Sequence, residues 1–165
     1  MNIREERAGD IAGIREVETL AFGRTAEADL VDALRAHGKA TLSLVAEEDG
    51  QIVGHVLFSP GRIEETPVEG MGPVAVRPDR QGQGIGSVLI RAGLAGTRQM
   101  GCRIVIVEGS PAYYPRFGFQ DAAPLGITCE FNPPPGCFMV QALVEGALEG
   151  VRGTAFYAEE FKAVG

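Results

Sequence analysis

The sequence predicts an α/β fold of mixed α+β character: one sheet of about seven strands flanked by about four helices, with a β-α-β unit at its centre. Three observations predict it. An apolar strand pattern, Met71 to Val76, runs through a glycine-rich turn into a helical pattern that ends near Met100, and Arg103-Ile104-Val105-Ile106-Val107 follows as a strand apolar on both faces. Leu42 to Glu47 and Gln51 to Phe58 flank Glu48-Asp49-Gly50, the signature of an antiparallel hairpin. Ile127 to Glu130 and Cys137 to Leu143 form a late strand pair around the Pro133-Pro134-Pro135-Gly136 turn.

In order along the chain, Met1 to Glu6 reads as a first strand. Gly9-Asp10 caps a helix whose stripe is Ile11, Ile14, Val17, Glu18, Leu20, Ala21 and Phe22. A second helix follows Thr25, with Ala28, Leu30, Val31 and Leu34 on its apolar face and Gly38 as its stop. His37, at that end, has no second ligand at helical spacing and reads as a surface or capping residue. His55, in a strand between apolar neighbours, reads as a hydrogen-bonded structural histidine. Pro73 is anomalous inside a central strand, because it cannot donate to a ladder; a bulge or an opening between strands resolves the conflict. The third helix places Ile85, Val88, Leu89 and Ala92 on one side, and Gly118 stops a short fourth one beside Tyr113, Tyr114 and Phe117. From Val144 to Gly165 the pattern specifies little. No repeat and no linker divides residues 1–165, so one domain is expected.

The net charge of −7 disfavours nucleic acid and anionic membranes as partners, since both reward clustered Lys and Arg, and leaves a cationic or neutral substrate favoured. No apolar run reaches the roughly 18 residues of a membrane span. The N-terminus has no signal-peptide core, so a cytoplasmic protein is expected. Cys102, Cys129 and Cys137 are odd in number and lack metal-ligand spacing; neither a disulfide framework nor a metal site is expected.

The chemistry concentrates in Arg80-Gln81-Gly82-Gln83-Gly84-Ile85-Gly86-Ser87. A glycine-rich turn opening a helix presents unpaired backbone N–H groups backed by the positive end of the helix dipole, which is an anion cradle. Gln81, Gln83 and Ser87 add neutral donors. A nucleoside-triphosphate loop would need Gly-Lys-Ser/Thr here, and a dinucleotide fingerprint would need a third glycine where Ser87 stands. Both fail on register, leaving another pyrophosphate ligand.

Val74-Ala75-Val76-Arg77-Pro78 followed by Gln81-Gly82-Gln83-Gly84-Ile85-Gly86 resembles the acyl-CoA signature Q/R-x-x-G-x-G/A of the GNAT superfamily of N-acetyltransferases, and Tyr114-Pro115-Arg116-Phe117-Gly118-Phe119 resembles its Y-x-x-x-G-F segment. The likeness spans Met71 to Phe119. It implies a fold in which the two parallel strands of the β-α-β unit splay apart to admit a pantetheine arm. It also implies acetyl-CoA as cosubstrate and a primary amine, of a small molecule or a peptide, as acceptor.

Carried to matching positions, the resemblance gives the backbone of Val74, Ala75 and Val76 the pantetheine and the thioester carbonyl. It gives Gln81, Gly82, Gln83, Gly84, Ile85, Gly86 and Ser87 the pyrophosphate, and Tyr114 the departing thiolate as general acid. The base that takes the proton of the ammonium is open among Glu108, Glu18, Glu69 and an ordered water. The oligomeric state is open, a homodimer included. A reading from a different class is a catalytically silent acyl-CoA-binding regulatory module, because a cradle alone does not establish turnover.

Overall fold

The computed structural model describes residues 1–164. Three α-helices and nine strands appear among them. Strand β1 (Asn2–Glu5) leads into α1 (Ile11–Phe22) and α2 (Ala26–Ala36); β2 (Leu42–Glu48), β3 (Gln51–Ile63) and β4 (Thr66–Val76) follow. Then come α3 (Ile85–Gln99), β5 (Ile104–Glu108), β6 (Gln120–Asp121), β7 (Ile127–Cys129), β8 (Phe138–Ala142) and β9 (Gly153–Phe156). The sheet runs β1-β2-β3-β4-β5-β8-β6, with β9 joining the far end of β3 and β7 beside β9.

The Asp49-Gly50 turn closes the β2–β3 hairpin with both residues at positive φ (52° and 76°), as a two-residue connection between right-twisted strands requires. β3 continues five residues beyond the expected Phe58 and turns at Glu64-Glu65 into β4. The two strands pair from Ile63 with Thr66 up to Gly54 with Val76. Ser59-Pro60-Gly61 looks like a break in sequence, but long antiparallel pairing overrides it.

Helices cover both faces of this ribbon. On one, α3 buries Ile85, Leu89, Ile90 and Leu94 against Leu44, Val56, Phe58 and Met71. Val88 is exposed, so the buried stripe of α3 passes through Ile90 and Gly93 instead. A side chain at Gly93 would meet Phe58, its Cβ 2.4 Å from the ring's Cε1, so the glycine sets how closely α3 approaches β3. On the opposite face Ile14, Val17, Leu30, Val31 and Leu34 of α1 and α2 pack on Val45, Leu57 and Ala75.

His55 belongs to this second face and is wholly buried, as expected of a structural histidine. Its Nδ1 lies 2.7 Å from Glu18 Oε2, and its Nε2 lies 2.8 Å from Ser43 Oγ. The single Ser43 proton goes to Glu6 Oε1 at 2.6 Å. With that proton committed, the contact at Nε2 is one in which His55 donates to Ser43 Oγ. Burial, chiefly, raises the Glu18 pKa; the His55 bond pulls it back and the nearby Glu27 charge adds to the rise.

The late strands depart from the expected pairing. β7 pairs in parallel with β9, whereas β8 lies antiparallel between β5 and β6, so β7 and β8 are not partners. Phe138, Met139 and Val140 are all buried, which suits an interior strand beside the apolar β5. The segment without legible pattern supplies β9 and a 3-10 turn, Glu159–Ala163. That turn is tied to the end of α2 by Glu160, which meets Lys39 at 2.9 Å and His37 at 2.5 Å. Those bonds, Lys39's first, hold its carboxyl at about 2.

Candidate active site

The site begins where the sheet comes apart. β4 and β5 are parallel neighbours only at Glu69 and Gly70, opposite Val105 and Ile106. The β3–β4 register shifts between Val56 and Phe58, at the level of Gly72-Pro73. Beyond Gly70 the edge of β4 that faces β5 has no strand partner. Pro73, which could not serve in a continuous ladder, sits in this opening, together with Val74.

At the end of β4, Gln81 Nε2 donates to the Val76 carbonyl at 3.1 Å and braces the turn into α3. Gly82 and Gly84 hold φ of 76° and 83°, left-handed values that leave Gly84 as the N-cap of a fifteen-residue helix. Gln81, Gly82, Gln83 and Gly84 are exposed, and Gly86 and Ser87 half-buried. Ile85 turns its side chain into the core at 3% exposure, so only its backbone can face a ligand. The first turn of α3 thus offers main-chain donors and the positive end of the helix to solvent. A Cβ on Gly86 would stand 3.6 Å from the Tyr113 hydroxyl, over whose ring Arg116 stacks at 4.5 Å.

The two adjacent tyrosines diverge. Tyr113 leans over the cradle, while Tyr114 lines a cleft of about 810 Å³ together with Met71, Gly72, Pro73, Val74, Glu108 and Gly109. The Tyr114 ring packs against Gly109, where a Cβ would come within 2.3 Å of its Cε2, and meets Tyr113 and Phe119 edge to face. Burial raises its pKa, with Tyr113 adding to the rise, so the phenol holds its proton at neutral pH. Glu108 ends β5 across the opening, and burial raises its carboxyl pKa as well.

Of the other carboxylates considered, Glu18 lies under α1 against His55 and does not reach the cleft. Glu69 lies toward the other end of the sheet, lining a separate cavity of about 420 Å³ with Thr41 and Cys102 and accepting from Thr41 Oγ1 at 3.2 Å. The remaining walls were not singled out in the sequence: Phe22, Glu27 and Leu30 from the α1–α2 corner, Phe131, Pro134 and Cys137 from the β7–β8 loop, and Tyr157, Phe161 and Val164. The concentration of aromatics in Phe156-Tyr157 and Phe161, within a tail otherwise lacking pattern, was the available signal.

A parted pair of parallel strands beside a glycine cradle at a helix N-terminus defines an acyl-CoA-type transferase architecture, and comparison with known proteins agrees. The model of the acetyltransferase (GNAT) domain matches residues 39–121. The chain is 39% identical over 164 residues to the uncharacterized N-acetyltransferase YhbS of Escherichia coli K12, covering 98% of each. It is 42% identical over 144 residues to the uncharacterized N-acetyltransferase YjhQ of the same organism, covering 81% of this chain and 80% of the relative. The crystal structure of Escherichia coli YhbS in complex with CoA superposes with a TM-score of 0.94, covering 99% of this chain and 93% of that one at 39% identity. A GNAT acetyltransferase from Brucella melitensis in complex with acetyl-CoA gives 0.82 at 41% identity, covering 97% of each. The chain belongs to the GNAT family of acetyltransferases.

Proposed function

We propose that the protein transfers the acetyl group of acetyl-CoA to a primary amine of a small molecule or peptide, by direct attack in a ternary complex. The observation that carries this is the opening between β4 and β5: Val74 on the unpartnered strand edge, Tyr114 and Glu108 line one cleft there. The CoA and acetyl-CoA complexes of its Escherichia coli and Brucella relatives support the choice of donor. The three cysteines are free thiols, which fits a reducing, cytoplasmic setting.

In this reading the backbone of Gln81 to Ser87 holds the pyrophosphate and the free edge at Val74, Ala75 and Val76 aligns the pantetheine. Edge N–H groups polarise the thioester carbonyl. Glu108, raised by burial toward neutrality, accepts the ammonium proton. The amine nitrogen bonds to the carbonyl carbon, the C–S bond breaks, and Tyr114 O–H protonates the leaving thiolate.

The test is thiol release from acetyl-CoA with a panel of primary amines, followed from pH 6 to 9. Release that depends on the amine and rises with pH is expected, because both the bound amine and its base must lose protons. Tight CoA binding with no release for any amine would overturn the enzymatic reading in favour of a silent acyl-CoA-binding module.

A further inference from the structure

The acceptor half of the cleft has a definite chemistry, which deepens the proposed reading and rests on it. No residue of α3 lines the cleft; its outer walls come from the α1–α2 corner, the β7–β8 loop and the C-terminal segment. These walls are aromatic. The Phe131 and Tyr157 rings stack at 6.1 Å and 27°, and Phe161 closes on Tyr157 at 4.9 Å. At the rim, Phe22 and Phe131 are 42% and 39% exposed. Both line the one cleft that also holds Tyr114 and Glu108.

The charges point the same way. Among the described residues no Lys, Arg or His lines the cleft, and its carboxylates are Glu27 and Glu108. Glu27 is already neutralised by Arg24, whose Nε donates to Oε1 at 3.0 Å and Nη2 to Oε2 at 2.5 Å. Glu108 carries no side-chain partner among the described residues. One unpaired carboxylate beside an aromatic box accommodates one cationic head and one flat apolar body.

We infer that the acceptor is a monoamine with an aromatic body: its ammonium lies against Glu108 at the Tyr114 end, and its ring lies among Phe22, Phe131 and Phe161. Polyamines carry a further cation, for which these walls offer no unpaired carboxylate besides Glu108. A lysine side chain presented on a peptide would leave the rim aromatics uncovered by a ring.

Two readouts test this. Calorimetry on the protein saturated with CoA should show 2-phenylethylamine binding about 30-fold or more tightly than n-butylamine or 1,4-diaminobutane, the contribution of one buried ring. Phe131→Ala should erase most of that preference without moving CoA affinity; Phe22→Ala, on a different element of the cleft, guards against a folding artefact at Phe131. Thiol release should rank the amines in the same order. Equal or tighter binding of butylamine, diaminobutane or an N-terminally blocked lysine peptide would overturn the inference even if acetyl transfer proceeds. Selective 2-phenylethylamine binding without thiol release would uphold the inferred ligand class and overturn acetyl transfer instead.

Discussion

Gly86→Glu separates binding from folding more cleanly than any other change at the cradle. Gly86 is the second residue of α3, has no left-handed φ, and would place a Cβ 3.5 Å from Val76 Cγ2 and 3.6 Å from Tyr113 Oη, ordinary contacts. A side chain is thus accommodated. Replacing glycine in a helix contributes about 0.5–1 kcal/mol, and an acidic residue in the first turn about 0.3–1 more through the dipole. The melting temperature should stay level or rise by roughly 2–4 °C. A carboxylate about 5 Å from a phosphate at an effective dielectric of about 20 is repelled by about 3 kcal/mol per unit charge, so CoA affinity should fall more than 100-fold. Gly86→Ala, which adds bulk without charge, should lose far less. Gly84→Glu is the poorer probe, because φ of 83° penalises any side chain there. Calorimetry with CoA and thermal unfolding on the same samples decide it. A folded Gly86→Glu protein with CoA affinity within threefold of wild type would refute the cradle.

Two further outcomes are expected. Tyr114→Phe should lower kcat by about 100-fold with CoA affinity nearly unchanged, whereas Tyr113→Phe, whose hydroxyl stands by Gly86, should alter the KM for acetyl-CoA and spare kcat; single-turnover thiol release distinguishes them, and the reverse pattern would exchange the two roles. Glu18 has a raised pKa in the folded state, so its contribution is fully present below the unfolded value near 4.3 and is lost as pH rises through the folded value. Relative to Glu18→Gln, which does not titrate, wild type should therefore lose stability with rising pH by up to about 1.4 kcal/mol per unit; urea unfolding between pH 5 and 9 showing a constant difference would refute the raised Glu18 pKa.

The parts of the fold legible in the sequence are those whose local chemistry and tertiary fate coincide. Asp49-Gly50 turns wherever it is placed, and a strand as apolar as Ile104 to Val107 has nowhere to go but the middle of a sheet. The parts not legible are decided by partners. Gly153 to Phe156 is too short to announce itself and becomes a strand because Ile63 and Cys129 lie alongside it. Likewise β3 runs through Pro60 because β4 continues opposite, and β7 and β8 separate because the two edges of β8 are taken by β5 and β6.

The same distinction divides the site. The side proposed for CoA is built largely from main chain, the left-handed Gly84 and the free edge of β4, and backbone demands of that kind leave glycines and a misplaced Pro73 in the sequence. The side proposed for the acceptor is lined by side chains at 22–30, 131–137 and 157–164, segments with no shared period that meet only after folding. Glu18, Glu69 and Glu108 are equivalent as letters; what singles out Glu108 is its place at the end of β5, across the gap from Tyr114. A consequence follows for specificity. Substitutions at Phe22, Phe131 or Phe161 leave the Gly84 turn and the β4 edge untouched, so the choice of amine can change without disturbing the groups assigned to CoA.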